Sequence, residues 1–143
     1  MKLRIALSIA ILGALTTTML ATPQKHPSVD PAAHEVDAKQ LHSLLDRNGK
    51  VLVVDVRTPA EYAKGHIPGA VNVPINVLSQ KILEMKVAKD STIVTTCDHG
   101  GRSSRAAMEL QKMGYHATSF CRIESWQKDG YKISNEKNKT SSK

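Results

Sequence analysis

The chain has 143 residues, a net charge of +7, two cysteines and few aromatics: one Phe, one Trp and three Tyr. That length suits one domain with extensions, and two cysteines are too few for a disulfide-stapled scaffold. Lysines and arginines scattered without interleaved aromatics argue against nucleic-acid binding. A basic balance of this kind favours small anionic partners through its field, or serves solubility alone.

Residues 1–21 read as a secretory signal peptide. Lys2 and Arg4 form a positive start, Ile5 to Leu15 are almost all apolar, and small residues lead to Ala21. Met19 stands where cleavage prefers a small residue, so an uncleaved anchor is the alternative. The apolar run is short for a spanning helix of about 20 residues. The expected location is periplasmic or secreted, with no stable membrane association after cleavage. Residues 22–33 carry Pro23, Pro27 and Pro31 and read as a linker.

A domain is expected over residues 34–133, as a monomer. Asp37 with Gln40 forms a capping-box pattern ahead of Leu41, Leu44 and Leu45, a helix that should end near Asn48-Gly49. Val51 to Val54 is a continuous apolar, largely β-branched run, as in a strand buried on both faces. Thr58-Pro59 starts a short helix, with Thr as N-cap and Pro in the first turn, that stops at Gly65. Ala70 to Val73 reads as a short strand closed by Pro74. Residues 76–86 space Val77, Ile82, Leu83 and Met85 in a roughly helical pattern.

Thr92 to Thr96 is another buried strand, followed by a Gly-rich loop and a helix over residues 102–113. That helix places Ala106, Ala107, Leu110 and Met113 on one face, with Gly114 at its end. Thr118 to Phe120 is a further short strand, with Trp126 and Tyr131 beyond it. Residues 134–143 hold no large apolar group and read as a disordered tail. Strands alternating with helices predict an α/β fold, a parallel sheet covered by helices on both faces. Ligands of such folds bind beyond the carboxyl ends of the strands, where Cys97 falls.

Cys97-Asp98-His99-Gly100-Gly101-Arg102-Ser103 is the most informative stretch. A thiol at a strand end, followed by glycines and a helix start, faces backbone N–H groups and the positive end of a helix dipole. That setting favours thiolate chemistry and holds anions. Gly100 and Gly101 are expected to supply positive φ in the loop. Asp98 brings a like charge beside the thiolate, which His99 could offset when protonated; the alternative is that both point to solvent. Cys97 and His99 alone make a poor metal site, so no metal is expected.

Two segments together resemble the rhodanese family of single-domain sulfurtransferases. One runs Val54-Asp55-Val56-Arg57-Thr58-Pro59-Ala60-Glu61-Tyr62 and on through Gly65-His66-Ile67-Pro68-Gly69-Ala70-Val71-Asn72-Val73-Pro74. The other is Cys97-x-x-Gly100-x-Arg102-Ser103, with Trp126 following where a family Trp is expected. The resemblance implies a rhodanese-like fold and no dissociable cofactor. It implies transfer of a sulfane sulfur from thiosulfate, or a similar small anionic donor, to cyanide or a thiol. Cys97 would attack the donor and carry the sulfur as a persulfide.

Asp98, His99, Gly100, Gly101, Arg102 and Ser103 would form the substrate cradle. Phosphatase-like thiol sites use a loop one residue longer, to admit a tetrahedral phosphate. Arg102 is expected either to bind the donor's oxyanion or to brace the loop. Arg57 and Glu61, four apart, are expected to pair structurally. Asp55 is expected to accept hydrogen bonds that fix the nearby loops, and His66 to pack in a turn.

Family members usually carry Gly-Gly where this chain has Cys121-Arg122. That rim lies on the side of the Cys97 loop, which makes Cys121 a candidate resolving thiol. A buried, inert cysteine is the alternative. An exported thiol redox protein using Cys97 and Cys121, and a non-catalytic rhodanese-like binding module, are the rival readings of function.

Overall fold

The computed structural model describes residues 35–47 and 50–135. The expected signal peptide, the whole linker, the Asn48-Gly49 helix end and the tail from 136 onward lie outside the described residues. In chain order the elements are α1 (Ala38–Asp46), β1 (Val51–Asp55), α2 (Pro59–Lys64), β2 (Val71–Asn72), α3 (Leu78–Glu84), β3 (Thr92–Cys97), α4 (Gly101–Lys112), β4 (His116–Cys121) and α5 (Ile123–Lys128). A 3-10 turn at Ile75–Val77 leads into α3. All strand pairs are parallel, in the order β2-β1-β3-β4. Among the described residues no helix is long and apolar enough to cross a membrane.

The two helix starts read from sequence form through the expected caps. Asp37 accepts from the Gln40 N–H at 2.7 Å while the Gln40 side chain accepts from the Asp37 N–H at 2.8 Å. Thr58 and Glu61 close the same reciprocal box around α2. Strand alternation then sorts the core onto two faces. Val54, Ile93 and Cys97 face one cluster with Leu78, Ile82, Ala106, Ala107 and Leu110, beneath α3 and α4. Val53, Val94 and Phe120 face the other, with Leu41 of α1 and Trp126 of α5.

Two expectations need correction, and one helix was not expected. In α3 the buried positions are Leu78 and Ile82, one turn apart, whereas Val77, Leu83 and Met85 are exposed. The apolar spacing was compatible with two stripes, and contact with α4 selects the narrower one. Residues Ile123–Lys128 form a helix that the sequence did not announce, because no side chain caps it. The tail reading began too early: Ser134 pairs with His66 through both of its backbone hydrogen bonds, at 2.8 and 2.9 Å.

Candidate active site

Cys97 is the last residue of β3, a central strand, and exposes only 1% of its surface. It is a free thiol. The chain then turns at Gly100, whose φ of +83° lies in the left-handed region, and enters α4 at once. Gly101 does not share that conformation, contrary to expectation. It is the first helical residue, and a Cβ there would meet open space. Only one positive-φ residue is needed to fold the chain back over the sulfur.

The fold-back aims polar groups at Cys97 Sγ. The Gly100 N–H donates to it at 3.2 Å and the Ser103 N–H at 3.3 Å. The thiol in turn donates to Ser103 Oγ at 3.3 Å, and that hydroxyl donates to the Gly100 carbonyl at 3.0 Å. When the sulfur carries negative charge, the Ser103 hydroxyl can rotate and donate to it instead. Three donors then surround one sulfur at a helix N-terminus, an arrangement that stabilises a developing anion. Ser103 is fully buried, and Thr95 Oγ1 pins its carbonyl at 2.8 Å. The cradle is therefore fixed from the sheet below.

Around this core lies a charged lattice. Arg57 is almost fully buried. Its Nε contacts Asp55 Oδ1 and Oδ2 at 3.0 and 3.1 Å, and its Nη2 donates to Asp55 Oδ2 at 2.7 Å and to the Gly65 carbonyl at 2.6 Å. Nη1 reaches across to Asp98 Oδ1 at 3.0 Å. Burial works against the Arg57 charge, but the hydrogen bonds and field of Asp55, with Asp98 behind them, more than restore it. Its proton is held above the ordinary guanidinium value. Asp55, as expected, fixes the loop by also accepting from the Arg57 backbone N–H at 3.0 Å.

Arg102 makes a bidentate pair with Glu61, at 2.8 and 2.9 Å, and a longer contact to Asp98 at 3.4 Å. Hydrogen bonds from Arg102, then from Thr58, hold the Glu61 carboxyl far below the usual carboxylate range. Of the two roles open to Arg102, the structure favours bracing.

The expected Arg57–Glu61 pair does not form. Arg57 precedes the helix N-cap Thr58, so the helical neighbour relation between residues four apart does not reach it. Asp98 points at two arginines rather than to solvent, while His99 is exposed. His66 packs as expected, stacked on Tyr62 with ring centroids 3.7 Å apart.

Sequence reasoning missed Asn72, whose side-chain amide donates to the carbonyls of Asp55 and Arg57 at 3.0 and 2.9 Å. Its signal was an Asn inside a short strand, where that residue is disfavoured. The Glu61–Arg102 pair joins residues 41 apart, and no local pattern announces it. Two cavities, of about 460 and 340 Å³, lie elsewhere: one beside His42, Trp126 and Tyr131, the other beside Val36 and Phe120. Neither includes a residue of the Cys97 loop.

At the mouth the guanidiniums of Arg57 and Arg102 face the carboxylates of Asp55, Glu61 and Asp98. These two arginines are thus matched by carboxylates, and the groups that face the sulfur itself are the loop N–H donors of Gly100 and Ser103.

A family model described as Rhodanese-like domain matches residues 37–128. A protein of Allochromatium vinosum named Sulfurtransferase is 35% identical over 102 residues, covering 70% of this chain and 94% of that one. Thiosulfate sulfurtransferase PspE of Escherichia coli is 34% identical over 62 residues, 43% of this chain and 60% of its own length. The crystal structure of a rhodanese-related protein from Thermoplasma volcanium superimposes with a TM-score of 0.63 at 29% identity, covering 72% of this chain and 99% of that one.

Proposed function

The chain belongs to the rhodanese-like domain family, and from that premise we propose that it is a sulfurtransferase whose nucleophile is Cys97. The observation that carries the reading is the convergence of Gly100 N–H, Ser103 N–H and Ser103 Oγ on Cys97 Sγ. Relatives named sulfurtransferase, one of them a thiosulfate sulfurtransferase, support the same class of reaction.

In this reading the Cys97 thiolate attacks the sulfane sulfur of thiosulfate or a similar donor. The S–S bond of the donor breaks, sulfite leaves with the bonding pair, and Cys97 carries a persulfide. A thiophilic acceptor, cyanide or a small thiol, then attacks the outer sulfur and returns Cys97 to the thiolate. Gly100 and Ser103 serve both steps, because negative charge sits on one of the two sulfurs throughout. The burial of Cys97 limits the acceptor to a small molecule or the narrow end of a larger one.

The proposal includes an exported location, resting on the pattern of Lys2, Arg4 and Ile5 to Leu15.

The test is steady-state thiocyanate formation from thiosulfate and cyanide. Cys97→Ser should be inactive. Ser103→Ala should lose about 10- to 100-fold in kcat/KM, the worth of one hydrogen bond to a charged sulfur. Full activity in Cys97→Ser would overturn the assignment.

A further inference from the structure

The chain has two cysteines, and the sheet puts them opposite one another. Cys121 ends β4 as Cys97 ends β3, and the two positions are register partners in the parallel ladder. Neighbouring strands lie about 4.8 Å apart, within the roughly 4.4–6.8 Å that disulfides span between Cα atoms. The tie extends past the strands: the Arg122 N–H donates to the Cys97 carbonyl at 3.0 Å. Arg122 holds a φ of +86°, which an L side chain rarely adopts. The backbone at position 121 is thus anchored directly to the backbone of the nucleophile.

We propose that Cys121 resolves the Cys97 persulfide, releasing its outer sulfur as hydrosulfide and leaving a Cys97–Cys121 disulfide. The step rests on the sulfurtransferase reading above. The persulfide on Cys97 is an anion, and Cys121 enters as a thiol. Cys121 sulfur attacks Cys97 Sγ, forming the new S–S bond. The bond between Sγ and the outer sulfur breaks, and the outer sulfur departs with its electron pair and the Cys121 proton as HS⁻. The sulfane sulfur is reduced by two electrons while the two cysteines are oxidised to a disulfide, so this step needs no outside oxidant. A dithiol reductant then regenerates both thiols.

Attack on Sγ rather than on the outer sulfur follows from leaving-group strength. Hydrosulfide is the base of a stronger acid than an ordinary cysteine thiol, and the weaker base leaves faster. The protein would in this way convert sulfane sulfur to sulfide at the expense of a dithiol, a reaction class distinct from delivery to an external acceptor.

The experiment mixes the reduced full chain, freed of small thiols, with excess thiosulfate and no acceptor. Sulfite and sulfide are measured, and the cysteines are mapped by mass. Wild type should release sulfite and about one equivalent of sulfide per chain, and end about 2 Da lighter with Cys97 and Cys121 in one disulfide-linked peptide pair. Cys121→Ser should release the same sulfite, give at least about tenfold less sulfide, and keep a persulfide on Cys97. Equal sulfide from both proteins, a lasting persulfide on wild-type Cys97, or sulfur transferred onto Cys121 would each overturn the proposal while leaving the sulfurtransferase reading intact. No sulfite from either protein would overturn that reading, and the resolving step with it.

Discussion

Arg57→Met should destabilise the protein severely without touching the sulfur. Arg57 and Asp55 are almost fully buried, at 5% and 0% exposure. Methionine approximates the volume of the arginine stem and removes every side-chain contact to Asp55, Gly65 and Asp98. Asp55 keeps only the Arg57 backbone N–H. Stripping one partner from a buried ion pair costs about 3–5 kcal/mol, and the Gly65 carbonyl left without its donor adds about 1–3 kcal/mol. Asp98 turns to water and contributes little.

These terms share one relaxation, so a loss of about 4–6 kcal/mol is expected. Domains of this size hold about 5–15 kcal/mol in all. With urea slopes near 2 kcal/mol/M, the midpoint should fall by about 2–3 M. Urea unfolding followed by Trp126 fluorescence reads this directly. Adding Asp55→Asn removes the stranded charge yet keeps the Oδ1 acceptor, and should recover at least about 2 kcal/mol. A single variant within about 1 kcal/mol of wild type, or a double variant no more stable than the single, would refute the reasoning.

Three further outcomes follow from the same lattice and its rim. Asp98→Asn lightens the negative charge at the mouth and should raise kcat/KM for dianionic thiosulfate about 3- to 10-fold at low salt, with the gain shrinking as salt is added; a loss would mean that its hold on Arg57 and Arg102 matters more. Glu61, held low by Arg102, binds its proton less readily folded than unfolded. Its contribution to stability is therefore complete above pH 4.5, its ordinary value, and is lost as pH falls below it. Glu61→Gln should flatten the acid limb of the stability–pH curve. Arg122→Gly relieves the positive φ at 86° and should raise stability by about 1 kcal/mol in thermal unfolding, whereas Arg122→Ala should not.

What the sequence made legible was whatever is written in neighbouring residues. Asp37 with Gln40 is a local box and Thr58-Pro59 a local cap signal, and both helices start where these place them. The β-branched-rich runs at 51–54 and 92–96 read as buried strands, and a thiol ending one of them, ahead of a glycine and a helix, had one place to go. The charge lattice was not legible. Arg57 was near Glu61 in sequence but chose Asp55 and Asp98, because burial of its guanidinium demanded partners on three sides. Helix α5 escaped notice because the strained residue that opens it, Arg122, is of a type that gives no sign of a positive φ. The resolving role weighed for Cys121 became a structural argument only through strand register, which six aligned pairs between β3 and β4 establish and no local spacing encodes.

The most direct test of sulfur transfer through Cys97 is a rapidly quenched single turnover of the reduced protein with thiosulfate, read as sulfite released and as intact mass. The expected result is a burst of about one sulfite per chain and, at early times, a gain of about 32 Da that maps to Cys97 and is abolished in Cys97→Ser. A titratable Cys97 thiol that yields neither sulfite nor the added mass would contradict it.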